Sequence, residues 1–471
     1  MNLRRHLQIF YIGSFVSTAL ADTVELTDVL RSVRTQYPPL LASYMQQDIA
    51  SGRVRTAQGA FDPVFTASVM VRPVNFYEAT NTEFLYEQPL VNWGGKIYGG
   101  HRFTSGFLPS YERKIRTADA GELVLGIDIP LLRGRDFDEK RAKLSKAQLT
   151  QELARPQILN QYLTFHREAR VQYYKWVGSG MKLGVAEQVL EIAEKRGEFF
   201  KEQIKEGAIA EISQIDNDRL IVSRNISVLK AKRDFEKASI ALSLLYRDAN
   251  GQPIVPNRSD LPRSFPETIK FHELTVINDR NAAAFRRPEI RQYDIIIALA
   301  RVDARLARNN TKADLRFKLE LNQQLGGERP KDIDETEITG LLKYAMPIGQ
   351  NEARGRINEI ESKIVKLQTD LRFAREKIIA DVNDSYSALY AVSQTLRQTR
   401  RNVELAQRLE EAEREKFRAG ASDLLLVQLR EQATYQARIQ EIEALLSYYI
   451  ASADYLAAAA RDTPTALLAR R

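Results

Sequence analysis

The sequence predicts a mainly α protein with a β part, built from one plan used twice. Three observations predict it. Two stretches of close to 70 residues, from about Glu139 to Glu206 and from about Asn351 to Ala419, contain no cluster of turn residues. Four shorter stretches alternate apolar and polar side chains with a period of two. Landmarks of the first half recur in the second.

At the N-terminus, Arg4 and Arg5 precede the apolar run Ile9 to Ala19, and Ala19-Leu20-Ala21 is a small-residue cleavage site. Residues 1–21 read as a secretory signal peptide cleaved after Ala21. An uncleaved anchor helix is the alternative, although the run is short for a span. No later stretch reaches ~18 apolar residues, so no transmembrane helix is expected. The 471 residues include 44% hydrophobic and 28% charged side chains, a composition that folds. The formal charge is +8, and removal of the two signal arginines leaves +6. No dense basic block accompanies it, so nucleic acid is not an expected partner. There are no cysteines, which excludes disulfides, thiolate metal sites and a cysteine-linked lipid anchor.

Tyr37-Pro38-Pro39-Leu40 is matched by Arg287-Pro288-Glu289-Ile290 at an offset of 250. Ile129-Pro130 matches Met346-Pro347 at 217, and Gly207 matches Gly420 at 213. Residues 22–249 therefore read as a first repeat and 281–460 as a second. Residues 250–280 form a proline-rich linker packed beside the helices, and 461–471 a loose tail. The drop in offset from 250 to 217 leaves about 33 extra residues between the strands of the first repeat.

In the first predicted strand Phe65, Ala67, Val69 and Val71 face one way, with Thr66, Ser68 and Arg72 opposite. In the second, Leu123, Leu125, Ile127 and Ile129 oppose Glu122 and Asp128. In the third, Leu315, Phe317, Leu319 and Leu321 oppose Arg316, Lys318, Glu320 and Asn322. In the fourth, Ile338, Leu342, Tyr344 and Met346 oppose Glu337, Thr339 and Lys343. Two environments fit this pattern. One is an antiparallel sheet over a small core, apolar side in. The other is a membrane barrel, apolar side to lipid and polar side to a lumen. A membrane strand is about 9–11 residues, and its backbone groups must all be paired, so the sheet must close. Four strands cannot close, which requires several copies of the chain. Phe76, Tyr77, Phe84, Tyr86, Trp93, Tyr98, Phe103, Phe107 and Tyr111 crowd between the first two strands, as aromatic side chains do at membrane interfaces. Gly94-Gly95 and Gly99-Gly100 suggest tight turns there.

Each long helix spans on the order of 100 Å at 1.5 Å per residue and needs partners along its length. In the second, Ile357, Ile360, Ile364, Leu367, Leu371, Ala374 and Ile378 follow coiled-coil spacing. Val382 adds a second successive step of four, a stutter, and the seam resumes at Leu389, Val392, Leu396, Val403 and Ala406. The returning helix has its own row at Tyr435, Ile439, Ile442, Leu446, Tyr449 and Leu456. In the first long helix Pro156 is expected to kink or break it, and Gly178, Gly180 and Gly184 to weaken it.

This pattern resembles the TolC-like outer membrane factors. The stretches that carry the resemblance are "YPPLLAS" and "RRPEIRQ", "GIDIPLLRGRDFDEKRA" and "LLKYAMPIGQNEARGRI", and the turns "KEGAIAEIS" and "RAGASDLLLVQL". The resemblance implies a homotrimer, with a twelve-stranded barrel in outer membrane lipid, a twelve-helix tube through the periplasm and a belt built from the linker. It implies a passive channel for efflux or type I secretion, served by a periplasmic adaptor and an inner-membrane pump, with no cofactor and no bond chemistry. It places the glycine turns at the inward tip, where they meet the adaptor and constrict the pore. That tip would include Gly207, Ala208, Ile209, Ser213 and Asp216, with Gly420, Ala421, Ser422, Asp423 and Leu426. Both glycines also read simply as helix stops. Two departures stand out. Well-studied efflux members carry Val-Gly-Leu at the tip, where this chain has Glu206-Gly207-Ala208 and Ala419-Gly420-Ala421. Leu426 and Leu429 stand where some members place acids, so no cation-binding carboxylate ring is expected at that point. A soluble periplasmic coiled-coil scaffold or adaptor is the competing reading.

The chain offers little to catalysis. His6, His101, His166 and His272 show no metal spacing, and neither a phosphate-binding loop nor a Gly-x-Ser-x-Gly elbow is present.

Overall fold

The computed structural model describes residues 23–74, 78–106, 117–268, 273–328 and 334–462. The predicted signal segment 1–21 lies outside them, as do Phe76, Tyr77, Phe107 and Tyr111 of the aromatic stretch. The chain begins α1 (Leu26–Gln36), α2 (Pro38–Gln58), β1 (Val64–Arg72), β2 (Ala79–Pro89), β3 (Lys96–Gly106), β4 (Glu122–Pro130), α3 (Glu139–Lys205) and α4 (Ile212–Ser243). It continues α5 (Glu273–Arg286), α6 (Pro288–Asn310), β5 (Asp314–Gln324), β6 (Thr336–Ala345), α7 (Asn351–Arg418) and α8 (Leu424–Ala458). The succession of helix, strands, long helix, glycine turn and helix thus occurs twice.

Helix α3 has 67 residues and α7 has 68, both continuous. The expectation that Pro156 breaks α3 is corrected. The missing N–H forfeits one helical bond, but the adjacent Ala154, Ile158, Leu159 and Tyr162 are buried, so tertiary packing holds this turn in place. The Pro156 carbonyl also accepts a bond from Gln292 Nε2 at 3.2 Å.

One compact unit comprises, in its described part, residues 23–38, 164–268 and 384–457. Its core holds an aromatic stack, with the Tyr174 and Tyr449 ring centroids 4.3 Å apart and those of Phe265 and Tyr449 5.3 Å apart. Burial there pushes the Tyr174 and Tyr449 hydroxyls above their ordinary pKa. Phe265 belongs to the predicted linker, and Tyr449 donates a hydrogen bond to the Pro266 carbonyl, so this segment packs on the helices. Gly180 gives it a seat, since a Cβ at that position would lie 2.4 Å from Leu261 Cδ1. Helix α1 joins through Ser32, whose hydroxyl donates to the Leu245 carbonyl at 3.1 Å and accepts from the Arg247 N–H at 2.7 Å. The predicted seam residues Leu389, Leu396 and Val403 of α7 are buried, as are Ile442 and Tyr449 of α8.

The other unit comprises residues 39–74, 78–106, 117–163, 273–328, 334–383 and 458–462. Ala304 and Ala307 of α6 pack against Ile357, Ile360 and Ile364 of α7, which begins the predicted seam. Ile378 and Val382, at the predicted stutter, are also buried.

The sheet of this unit has six strands in the order β1-β2-β3-β4-β5-β6, each antiparallel to the next. The four predicted strands are β1, β4, β5 and β6, so the expectation of four strands per chain is corrected to six. The extra residues of the first repeat form the hairpin β2–β3, inserted between β1 and β4. Gly94, at φ +66°, lies in its turn as expected, whereas Gly99 and Gly100 lie inside β3. The turn is tied to the start of α3 by Arg141. Its guanidinium donates to the Asn92 carbonyl at 3.2 Å, to the Arg135 carbonyl at 2.8 Å and to the Gly134 carbonyl.

Across the middle of the sheet Tyr98, Gly126 and Glu320 lie side by side in β3, β4 and β5. The Tyr98 ring crosses the bare Gly126 backbone, and its hydroxyl donates to Glu320 Oε2 at 2.7 Å. A Cβ on Gly126 would come within 2.2 Å of that ring. Gly126→Val should therefore displace Tyr98 and cost about 1–3 kcal/mol as an overpacking substitution. A fall in thermal midpoint, with loss of the resistance of the sheet to proteolysis, is the expected outcome.

Candidate functional site

Directly paired residues of an antiparallel sheet share a face, so the register assigns each strand residue to a side. One side is apolar across the sheet: Phe65 and Val69, then Phe84 and Tyr86, Ile97 and Phe103, Leu123 and Leu125, Phe317 to Leu321 at alternate positions, and Ile338 and Leu342. This side is outward. Phe65 is 66% exposed, Leu125 57% and Ile338 69%.

The opposite side is mostly polar, and across β2 to β5 it is largely half-buried or buried. Glu122 is 4% exposed and Tyr98 5%, and in β4 burial alternates with exposure so that Glu122, Val124 and Gly126 are inside while Leu123 and Leu125 are outside. A sheet over a soluble core would show the reverse.

Most charges on the covered side are paired, chiefly across strands and in the case of Lys318 and Glu320 within β5. Arg102 of β3 reaches Glu83 of β2 at 3.0 Å, Glu122 of β4 at 2.7 Å and Glu320 of β5 at 3.9 Å. Lys318 meets Glu320 at 2.8 Å, Arg316 meets Asp128 at 2.9 Å, and Lys96 meets Glu87 at 2.5 Å. Gln324 Nε2 donates to Glu122 Oε2 at 2.8 Å. The result is a side rich in paired charges and a side that is mainly oily, interrupted by Thr80, Thr82 and His101. No helix among the described residues is long and apolar enough to cross a membrane.

The second region contains the two glycine turns. Gly207 and Gly420 both have φ +72°. The Gly207 N–H bonds the Ile204 carbonyl at 2.9 Å, and the Ala208 N–H bonds the Gln203 carbonyl at 2.8 Å. The Gly420 N–H bonds Phe417 at 3.0 Å, and the Ala421 N–H bonds Lys416 at 2.9 Å. Both are therefore the same left-handed helix stop, with two backbone bonds folding back over the last turn.

Gly207, Ala208, Gly420 and Ala421 are exposed, and Ile209, Ser213 and Ser422 are half-buried. Asp423 caps α8 through Oδ1, which accepts the Leu426 N–H at 2.8 Å, so its carboxylate is engaged. Asp216 accepts from Arg219 Nη2 at 3.4 Å. The Leu426 side chain is exposed, like Leu425 and Leu429.

About three helical turns along the helices from the two glycines lies a charge cluster that residue spacing did not single out. Glu431 of α8 is buried and takes bonds from Arg196 of α3 and from Arg414 of α7, the latter at 3.0 Å. Arg224 of α4 lies over the Tyr435 ring at 5.3 Å, and desolvation holds its guanidinium below the ordinary arginine pKa. Asn217 of α4 donates to the Ala193 carbonyl at 3.0 Å beside Gly197, where a Cβ would come within 3.0 Å of its amide. Among the described residues, no group of three or more His, Cys, Asp or Glu could hold a metal ion.

Helix α4 also carries an exposed apolar row that the sequence reading passed over: Ile212, Ile215, Val222, Ile226, Leu229 and Ile240. Its steps of three, four and their sums are heptad spacing, which is the signal that could have found it.

No family model and no curated protein matches this sequence. Solved structures do match. One is CusC, described in connection with folding and transmembrane channel formation, at a TM-score of 0.66 and 12% identity over 93% of this chain and 92% of that one. A second is the open state of the MtrE outer membrane channel of Neisseria gonorrhoeae, at 0.65 and 14% over 92% and 88%. A third is the CmeC outer membrane channel of Campylobacter jejuni, at 0.63 and 12% over 98% and 94%. At these identities the likeness shows the fold, and it is the TolC-like fold that the sequence resembles.

Two outcomes test the turn region. Gly207→Ala and Gly420→Ala should each cost about 1 kcal/mol from the left-handed backbone alone. A Cβ at either glycine would meet nothing within 4 Å, so chemical denaturation should reveal this small loss without a change of fold. Glu431→Ala leaves the part-buried Arg196 without its acid, while Arg414 keeps Glu410 at 2.8 Å, and should cost about 1–3 kcal/mol, read in the same assay.

Proposed function

We propose that this chain is one subunit of a trimeric exit duct in the outer membrane, carrying solutes from the periplasm to the exterior. The observation that carries this reading is the inverted polarity of the sheet. Its exposed side consists of oily residues and its covered side of paired charges, as lipid outside and water inside require. The backbone at the sheet edges must then find partners, which several copies supply by closing a ring. The exposed heptad row of α4 supports association in the helical part, where a helix of a neighbouring copy would cover it. The structural neighbours are outer membrane channels by their own descriptions.

The duct is passive, and energy comes from an inner-membrane pump reached through a periplasmic adaptor, in an efflux or type I secretion assembly. The glycine turns, with Ile209, Ser213, Asp216, Ser422 and Leu426 beside them, are the surface offered to the adaptor and the place where the pore narrows. Exposure of the turns and of Leu425, Leu426 and Leu429 supports this assignment. The signal peptide read at residues 1–21 fits export to that membrane. The soluble scaffold reading would leave the oily face of the sheet in water, an extended apolar patch of a kind soluble monomers rarely carry.

Leu125→Lys separates the two. For a soluble sheet, a lysine at this exposed position is neutral or improves solubility. For a lipid-facing strand it costs about 2–4 kcal/mol near the midplane. Loss of the assembled form from outer membrane fractions is expected, while wild-type protein stays with those membranes through carbonate washes. Wild-type protein in planar bilayers should conduct ions.

A further inference from the structure

Each chain supplies six consecutive antiparallel strands, and the edges of its sheet are β1 and β6. We infer that β6 of one copy pairs with β1 of the next, so that three copies of six strands close an eighteen-stranded barrel. This rests on the trimeric duct proposed above and deepens it by fixing the partner edge and the width of the pore wall.

The inserted hairpin is part of the wall rather than a loop lying over it. It stands between β1 and β4 in the hydrogen-bonded order, with β1 paired to β2 from Val64↔Glu87 to Arg72↔Ala79. Within this sheet the hydrogen-bonded neighbour of β1 is β2. The hairpin continues both faces: Phe84, Tyr86 and Phe103 extend the oily side, while Glu83 and Arg102 extend the ionic side. Arg102 and Tyr98 bind it to Glu122 and Glu320 of the following strands.

The two edges suit each other. An even number of strands per chain makes β6 antiparallel to β1 of the next copy, as the rest of the sheet requires. β1 and β6 are exposed at almost every position, whereas β2 to β5 are largely half-buried or buried. Arg72 at the end of β1 and Glu337 at the start of β6 lie at the same end of the sheet, on the ionic face, with opposite charge. With strands ~4.8 Å apart and tilted about 40°, eighteen strands give a barrel about 35 Å across, against about 24 Å for twelve. That is the size at which barrels keep an open aqueous lumen. The barrel would then leave the limiting constriction to another part of the duct.

The absence of native cysteine permits a direct test with paired cysteines in the full-length protein. Ala67→Cys with Phe84→Cys, and Ile97→Cys with Ile127→Cys, join directly paired positions and should cross-link within one chain. Ala67→Cys with Leu125→Cys should not, because three strand spacings, roughly 14 Å, exceed disulfide reach. Single cysteines at Thr66, Ser68 or Met70, each combined with one at Glu337, Thr339 or Leu341, should yield covalent trimers for at least one pair. Cross-linking of positions 67 and 125 without that of 97 and 127 would overturn the inference. Counting strands in an electron-density map of the wild-type particle in lipid nanodiscs decides it without any variant: eighteen supports it and twelve ends it. A conducting twelve-stranded ring would sink this inference and leave the duct standing. A soluble monomer would sink both.

Discussion

The rest of the structure depends on one constraint: backbone N–H and C=O groups in an apolar solvent must be paired. The sheet has an oily exterior and an ionic interior, so no soluble core explains it. Once its outer side meets hydrocarbon, its edges have no water to bond and must bond each other. In the proposed duct closure follows, and with it the need for more than one chain. The paired charges of the inner side then have a reason to be there. Arg102 with three carboxylates within 4 Å is a costly arrangement in a dry core, whereas in the proposed duct it would line a water-filled lumen.

The helices answer a different problem. Helices of 67 and 68 residues are not held by propensity alone, and each buries side chains along its length, such as Tyr162 and Trp176 of α3 and Leu389 and Leu396 of α7. In one compact unit the seam of α7 meets small residues of α6, and in the other the buried row of α8 includes the aromatic stack that also grips the linker. The glycine turns end α3 and α7 with the same left-handed geometry. Farther along the same helices Glu431 and its two arginines tie α3, α7 and α8 together.

Much of this was legible from side-chain order. The strands β1, β4, β5 and β6 alternate cleanly, and the long helices lack turn clusters, so period and length alone found them. The hairpin β2–β3 was hidden because its pattern is broken where its contacts are made. Tyr98 sits on the ionic side because Gly126 leaves room for its ring and Glu320 takes its hydroxyl, neither of which spacing reveals. Gly99-Gly100 reads as a turn and is a strand, while Thr80 and Thr82 dilute the oily face. Pro156 misled in the opposite direction, since a local breaker was outweighed by packing from distant residues. The Arg196–Glu431–Arg414 cluster joins residues more than 200 positions apart, which pattern reading does not reach.

The central claim is that β5 divides lipid from water along its length. A fluorophore attached to single cysteines placed one at a time from position 315 to 323, in protein reconstituted into bilayers, tests it most directly. Quenching by nitroxide-labelled lipid should rise at 315, 317, 319 and 321, and quenching by aqueous iodide should rise at 316, 318, 320 and 322. Iodide reaching the odd positions while lipid quenches none would contradict the account.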